Sequence, residues 1–207
     1  MFNTNQMAKA KNAVYLPFYQ GIFSQWHYSK FQDPDLPIEY REHVFTSSEM
    51  YMMFCKAMLF EDHKHAHIIL KEHDCKKTKA LGRSIIGFNE KKWEEHRENI
   101  VTRGNYLKFT QNHVLKAKLL ATDGKHLVEA SPRDCIWGIG LCSTSPCIQS
   151  PAMWRGLNLL GKCLDRAREM ILNDEKDDFL NSNTKDENVE KMLSYNRFES
   201  RIMSDKP

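Results

Sequence analysis

The sequence predicts a mainly helical α+β domain with a few short strands. Apolar residues recur at helical spacing in several long segments, and only short runs carry the residues typical of strands. Among the 207 residues, 41% are hydrophobic and 28% are charged, which is ordinary for a globular domain. We predict one compact domain over residues 15–172, a flexible lead-in over 1–14 and a charged, flexible tail over 173–207.

Three short segments are strand candidates. Tyr15–Tyr19 is aromatic and contains Pro17, and His126–Ala130 follows a turn at Thr122–Gly124. Residues 38–45 alternate loosely between apolar and polar side chains, so we expect a strand that leads into the next helix. These strands are too short to form the core alone, so the helices must supply most of it.

The first predicted helix begins after Thr46, a plausible N-cap, with Glu49 three residues later in the capping-box position. The 76–83 segment predicts a short basic helix that ends at Gly82, and it could face an anion. Asn89 caps a helix that begins at Glu90, and the 108–112 segment interrupts it. Two further helices are expected at 114–121 and at 157–172, the second with an apolar stripe at steps of three and four.

Glu49 and Lys56 are seven residues apart and therefore project from nearly the same face of the first helix. The rest of that helix is apolar, and charged groups are seldom buried unless they are paired or used. One interpretation is that Glu49 caps the helix and Lys56 extends to water. The other is that both side chains line a cleft and act on a substrate.

Several separated motifs occur in an order that is similar to the NADAR family, also called YbiA-like, from about Tyr15 to Leu172. The most specific are KFTQN at 108–112, LVEAS at 127–131, WGIGL at 137–141 and GLNLLGK at 156–162. The resemblance implies a compact, mainly helical YbiA-like fold and cleavage of N-glycosidic bonds. Some members act on phosphoribosylated pyrimidines of riboflavin synthesis, and others remove ADP-ribose from guanine in nucleic acid.

Carried over by position, the resemblance implies that Glu49 is the essential acid and Lys56 the active-site lysine. It also implies several substrate-binding positions. The basic residues and the loop after the first strand add further candidates. The full set of candidate substrate-binding residues is Ser24, Gln25, Arg83, Trp93, Arg97, Asp134, Trp137, Gly138 and Asn158. The family often has Ser-Asn where this chain has Ser24-Gln25, and His-Tyr where it has Met50-Tyr51. We expect the second change to alter selectivity.

The resemblance and the residues together predict an N-glycosidic bond hydrolase that removes ADP-ribose from guanine in single-stranded DNA or RNA. The alternatives are an N-glycosidase for a small ribosylated pyrimidine and a non-catalytic module that binds ADP-ribose. No cofactor and no metal are expected, because His63 and His67 are one helical turn apart but lack a third ligand.

The remaining expectations concern partners and location. The formal net charge of +3 is too small to argue for nucleic-acid binding by itself. No run of about 18 apolar residues occurs, so no membrane partner is expected. The N-terminal residues lack the apolar core of a signal peptide, which predicts a cytoplasmic or nuclear protein.

Overall fold

The computed structural model describes residues 14–183, in which six α-helices pack with a two-stranded sheet. The elements are β1 (Tyr15–Phe18), α1 (Ser48–Leu59), α2 (His63–Ile69), α3 (Cys75–Arg83), α4 (Glu90–Thr110), α5 (His113–Leu120), β2 (His126–Glu129) and α6 (Leu159–Asn183). Short 3₁₀ turns lie at Gly21–Phe23, Pro146–Gln149 and Pro151–Met153. The predicted mainly helical α+β fold is confirmed. No helix in this part of the chain is both long and apolar enough to cross a membrane.

The two strands are parallel, which brings the ends of distant segments to one edge. Tyr15 pairs with His126 and Phe18 with Glu129. A parallel pair needs a long crossover, and here the crossover includes helices α1 to α5. Both strands therefore end at the same edge, where β1 leads into the Gly21–Phe23 turn and β2 ends at Glu129.

Helix α1 lies at the centre of the core. Ten of its twelve residues are buried, and it packs against α2, α3 and α4. Phe54 is fully buried, with its ring centroid 5.6 Å from that of Phe45 and 5.1 Å from that of Tyr40. Burial of each such side chain contributes about 1.5–3 kcal/mol. A polar side chain on this helix therefore has to face another polar group or a cleft.

A buried ion pair holds the loop before α1 in place. The Asp33 carboxylate accepts hydrogen bonds from the Tyr51 hydroxyl at 2.6 Å and from the Arg103 guanidinium at 2.7 Å. The strand that we expected at residues 38–45, between this loop and α1, does not form, and that prediction is wrong. The segment instead forms turns, with one isolated bridge between Phe31 and Phe45.

Three helix boundaries differ from those predicted. The N-cap of α1 is Ser47, not Thr46, because the Ser47 hydroxyl accepts a hydrogen bond from the Met50 amide at 3.2 Å. Helix α4 runs through the 108–112 segment to Thr110 without interruption. Helix α6 begins two residues later than expected and continues to Asn183, past the expected end at 172. The lead-in up to residue 13 and the tail from 184 lie outside the described residues.

Candidate active site

Glu49 lies in the first turn of α1, where a backbone hydrogen bond joins it to the loop after β1. Its amide donates to the carbonyl of Gln25 at 3.0 Å. Because Ser47 caps the helix, Glu49 is not in the capping-box position, and its carboxylate is not used as a cap. The side chain is only 3% exposed, and Oε1 has no hydrogen-bond partner among residues 14–183. A buried oxygen without a partner is costly, which is typical of a group that meets a ligand.

Burial raises the pKa of Glu49 to about 7. Lys79 opposes this rise, as does a hydrogen bond from the Trp26 side chain, whereas the Asp134 carboxylate adds to it. Arg83 also favours the ionised form. The carboxyl therefore exchanges its proton near neutral pH, as a general acid or base requires.

A second carboxylate, Glu129, lies at the end of β2. Burial raises its pKa to about 7, Asp134 and Glu49 add to the rise, and Lys79 opposes it. Its Oε2 atom is buried without a partner in the described structure. Asp134 caps the following turn, where its Oδ1 accepts from the amides of Ile136 at 3.0 Å and Trp137 at 2.8 Å. Glu49 and Glu129 thus share two charged neighbours, Lys79 and Asp134.

Sequence reasoning missed Glu129, Lys79 and Trp26 as site residues. Glu129 was visible as the central residue of the LVEAS motif, but nothing local showed that it would be buried. Lys79 belongs to the basic helix that we expected to face an anion. Trp26 follows the Ser24-Gln25 pair directly, yet it carried no signal of its own.

Lys56 lies two helical turns from Glu49, about 10 Å along the axis of α1. Its Nζ donates to the carbonyl of Gly82 at 2.8 Å and lies 4.2 Å from the ring centroid of Phe88 and 5.4 Å from that of Trp93. Burial lowers the pKa of Lys56, Arg83 lowers it further, and Glu90 opposes the change. Arg83 acts on both Glu49 and Lys56. The charge of Arg83 therefore influences both predicted catalytic groups.

The inner face of α4 holds the loop that contacts Glu49. Lys108 is fully buried, and its Nζ donates to the carbonyl of Ser24 at 3.0 Å. Burial lowers the pKa of Lys108 to about 7. One turn earlier, the Asn105 amide donates to Gln25 Oε1 at 3.5 Å. Gln25 therefore lies beside Glu49, and its buried Nε2 has no partner in residues 14–183. Substrate binding by Ser24 or Gln25 stays a prediction.

Arg97 is a further buried polar residue of α4, nearer the start of the helix than Asn105 and Lys108. It is 8% exposed and pairs with Glu94 at 3.2 Å. Its Nε atom is buried and lacks a partner within the described part of the chain. Trp93, one turn before it, is also 8% exposed and lies beside Lys56. Arg97 retains hydrogen-bonding capacity, and substrate binding by either residue stays a prediction.

Gly138 and Asn158 make close contacts with the backbone around β2, and substrate binding by either residue stays a prediction. A Cβ atom on Gly138 would lie 2.9 Å from the carbonyl oxygens of both Glu129 and Asp134. Asn158 has φ of 53°, with Oδ1 accepting from the Glu129 amide at 2.9 Å and Nδ2 donating to the Leu127 carbonyl at 3.0 Å. The side-chain amide of Asn158 therefore hydrogen-bonds to the backbone of β2. Trp137, by contrast, is half-buried beside Asp134.

Asn158→Ala is expected to lower the free energy of unfolding by about 3 kcal/mol. Two buried backbone groups lose their partners, and alanine is disfavoured at a positive φ. Asn89→Ala, which removes only the cap of α4, is the control and is expected to cost about 1 kcal/mol. Urea unfolding of both variants measures the difference. Equal losses would contradict the structural role of Asn158.

The unfolding free energy should depend on pH through Glu49. Its pKa is raised from 4.5 to about 7 on folding, so the folded state binds more protons between these values. The contribution of Glu49 to stability is therefore greatest below pH 4.5 and falls as the pH rises through 7, by about 3 kcal/mol. Denaturant unfolding from pH 4 to 8 should show a shallower decline in Glu49→Gln. An unchanged slope would contradict burial of the carboxyl.

The NADAR domain family model matches residues 17–172 of this chain. The chain is 45% identical to the N-glycosidase R617 of Acanthamoeba polyphaga mimivirus over 148 residues, covering 72% of this chain and 86% of that protein. It is 36% identical to protein irg-1 of Caenorhabditis elegans over 176 residues, 80% of this chain and 83% of the other.

The bacterial similarity extends to a solved structure. The N-glycosidase YbiA of Escherichia coli strain K12 is 29% identical over 135 residues, which are 65% of this chain and 76% of YbiA. The NMR structure of E. coli YbiA superposes with a TM-score of 0.61 at 25% identity, covering 79% of this chain and 88% of that one. The family match over residues 17–172 includes helix α1, which carries Glu49 and Lys56.

Proposed function

Because this chain belongs to the NADAR family, it is a hydrolase of N-glycosyl bonds, and we propose that it removes ADP-ribose from guanine bases of nucleic acid. The observation that carries the proposal is the buried Glu49 carboxyl, which has an unpartnered oxygen and lies among Lys79, Arg83 and Asp134. A carboxylate and cations in one cleft match a substrate with a reactive sugar carbon and a diphosphate.

The chemistry assigned to Glu49 follows from the charge that develops in the reaction. When the bond between ribose C1 and a base nitrogen breaks, positive charge builds up on the sugar. A carboxylate beside C1 stabilises that charge or takes a proton from the attacking water. The start of α1 and the hydrogen bond from Trp26 favour the ionised form that this role needs.

The groups around Glu49 suit the two ends of the proposed substrate. Trp26 is 48% exposed and hydrogen-bonds to Glu49, so its ring can stack on a base at the mouth of the cleft. Trp137 is a second stacking surface. Lys79 and Arg83 lie on α3, and Arg83 can bind a phosphate through two parallel hydrogen bonds.

Lys56 is the second catalytic group of the proposal. Its amine is half-buried and has a lowered pKa, so a larger fraction is unprotonated at neutral pH than for a lysine in water. An unprotonated amine can attack C1 of an opened sugar and form an imine. As the ammonium ion, the same group can hold a phosphate or protonate the leaving base.

The test is incubation of the protein with single-stranded DNA that carries ADP-ribose on guanine, followed by mass spectrometry. We expect free ADP-ribose and an oligonucleotide restored to its unmodified mass. Release from a ribosylated pyrimidine phosphate, but not from the DNA, would assign the small-molecule substrate instead. Binding of ADP-ribose without release from either substrate would contradict the hydrolase and favour a binding module.

A further inference from the structure

Glu129 is a buried carboxyl group that the proposed function does not use. It is largely buried at the end of β2, its Oε2 lacks a partner in the described chain, and its charge acts on Glu49. Its backbone is held on both sides: the amide donates to Asn158 Oδ1 at 2.9 Å, and the carbonyl accepts from the Ile139 amide at 2.9 Å. The fold therefore presents this side chain in one fixed place.

The topology explains why two glutamates 80 positions apart in sequence reach the same cleft. Strands β1 and β2 are parallel, with Phe18 opposite Glu129. The chain that leaves β1 continues to Gln25, whose carbonyl accepts the amide of Glu49. The edge where both strands end is thus the edge on which α1 begins. Lys79 of α3 acts on both carboxyl groups.

The surroundings of the two glutamates differ in one respect that matters for chemistry. Asp134 raises the pKa of both groups, but Glu49 also lies at a helix N-terminus, where the Trp26 side chain and two cations, Lys79 and Arg83, favour its ionised form. For Glu129, the charged neighbours are Asp134 and Glu49, which favour the protonated form, and Lys79, which opposes them. When one proton is shared between such a pair, it resides on the group with fewer positive neighbours.

We propose that Glu129 is a second catalytic residue, the general acid that protonates the leaving base while ionised Glu49 acts on the sugar. The inference rests on the proposed hydrolysis of an N-glycosyl bond. It divides acid and base between two carboxyl groups, as in glycoside hydrolases. It also leaves Lys56, about 10 Å from Glu49 along α1, free for the phosphates or the sugar.

The step balances as a hydrolysis. The bond between C1 and the base nitrogen breaks, its electron pair stays with the nitrogen, and the Glu129 proton is transferred to the base. Water forms the new bond to C1 and loses a proton to Glu49. The products are the unmodified base, which stays in the nucleic acid, and ADP-ribose with a hydroxyl at C1. Solvent then returns a proton to Glu129 and removes one from Glu49.

The experiment is the pH profile of kcat for wild type and Glu129→Gln, with Glu169→Gln as a control. Glu169 is exposed on α6, away from the cleft, and loses the same charge. A general acid must be protonated, so wild-type activity should fall above about pH 7. In Glu129→Gln, kcat should drop about 10²–10⁴-fold, and the alkaline decline should disappear from the remaining activity. Glu169→Gln should match the wild type.

Two results would overturn the proposal. One is an alkaline decline that persists in Glu129→Gln and disappears in Lys56→Ala, because Lys56 would then be the acid. The other is a kcat of Glu129→Gln within about threefold of wild type. Circular dichroism confirms that the variant is folded. A loss of kcat without any change in the shape of the profile would assign Glu129 a structural role and also overturn the proposal.

A second measurement separates this inference from failure of the proposed substrate. If wild type releases nothing from either modified DNA or a ribosylated pyrimidine, the hydrolase assignment fails. The interaction between the two carboxyl groups can still be tested, because ¹³C NMR of labelled glutamate measures the pKa of Glu129. In Glu49→Gln the pKa of Glu129 should fall, because a like charge is removed. An unchanged pKa would show that the two groups are not paired and would overturn the inference.

Discussion

Glu49→Gln is expected to lower kcat about 10³-fold while leaving the affinity for ADP-ribose within a few-fold of wild type. The amide has nearly the same size as the carboxyl group, so it fits the same buried position. It cannot carry a negative charge, however, and so cannot stabilise positive charge at C1 or accept a proton. Steady-state kinetics on the DNA substrate and calorimetric titration with ADP-ribose measure the two effects.

Glu39→Gln is the matched control for this loss of one negative charge. Glu39 is exposed in the turn before α1 and lies apart from the cleft residues, so its variant should retain full activity. A Glu49→Gln variant with normal kcat and weakened affinity would instead make Glu49 a binding group. That result would remove the observation on which the proposed function depends.

Lys56→Ala is expected to lower kcat/KM by about 10²–10⁴-fold. The change removes the amine that lies over Phe88 and donates to the Gly82 carbonyl. Lys56→Arg separates the two roles proposed for that amine, because arginine keeps the charge but cannot form an imine. Kinetics of both variants are compared with trapping of a covalent adduct by cyanoborohydride in the wild type.

The outcomes for Lys56 are distinct. If Lys56→Arg is active and no adduct is trapped, the role of Lys56 is to bind phosphate through its positive charge. If both variants are inactive and the wild type forms an adduct on Lys56, the reaction proceeds through an imine between Lys56 and the sugar. Activity of Lys56→Ala within about threefold of wild type would contradict a catalytic role altogether. Because the amine also contacts the aromatic rings, melting temperatures of the variants should be recorded beside the rates.

Local signals in the sequence predicted most of the elements. Asn89 caps α4 as expected, with its side chain accepting from the Lys92 amide at 2.9 Å. The basic helix ends within one residue of the prediction, and both confirmed strands begin where predicted. These features depend on hydrogen bonds and periodicities that span a few residues. The misplaced N-cap of α1 also has a local cause, since Thr46 and Ser47 are both good N-cap residues.

The pairing of Glu49 and Lys56 on one face of a helix also followed from the sequence, because helical spacing alone decides which side chains share a face. Burial is different, since it depends on segments that meet only after folding. Glu129 comes near Glu49 where the two parallel strands end, and Lys79 comes near both because α3 packs against α1. The raised pKa values of Glu49 and Glu129 follow from that convergence, because exclusion of water is a property of the packed structure.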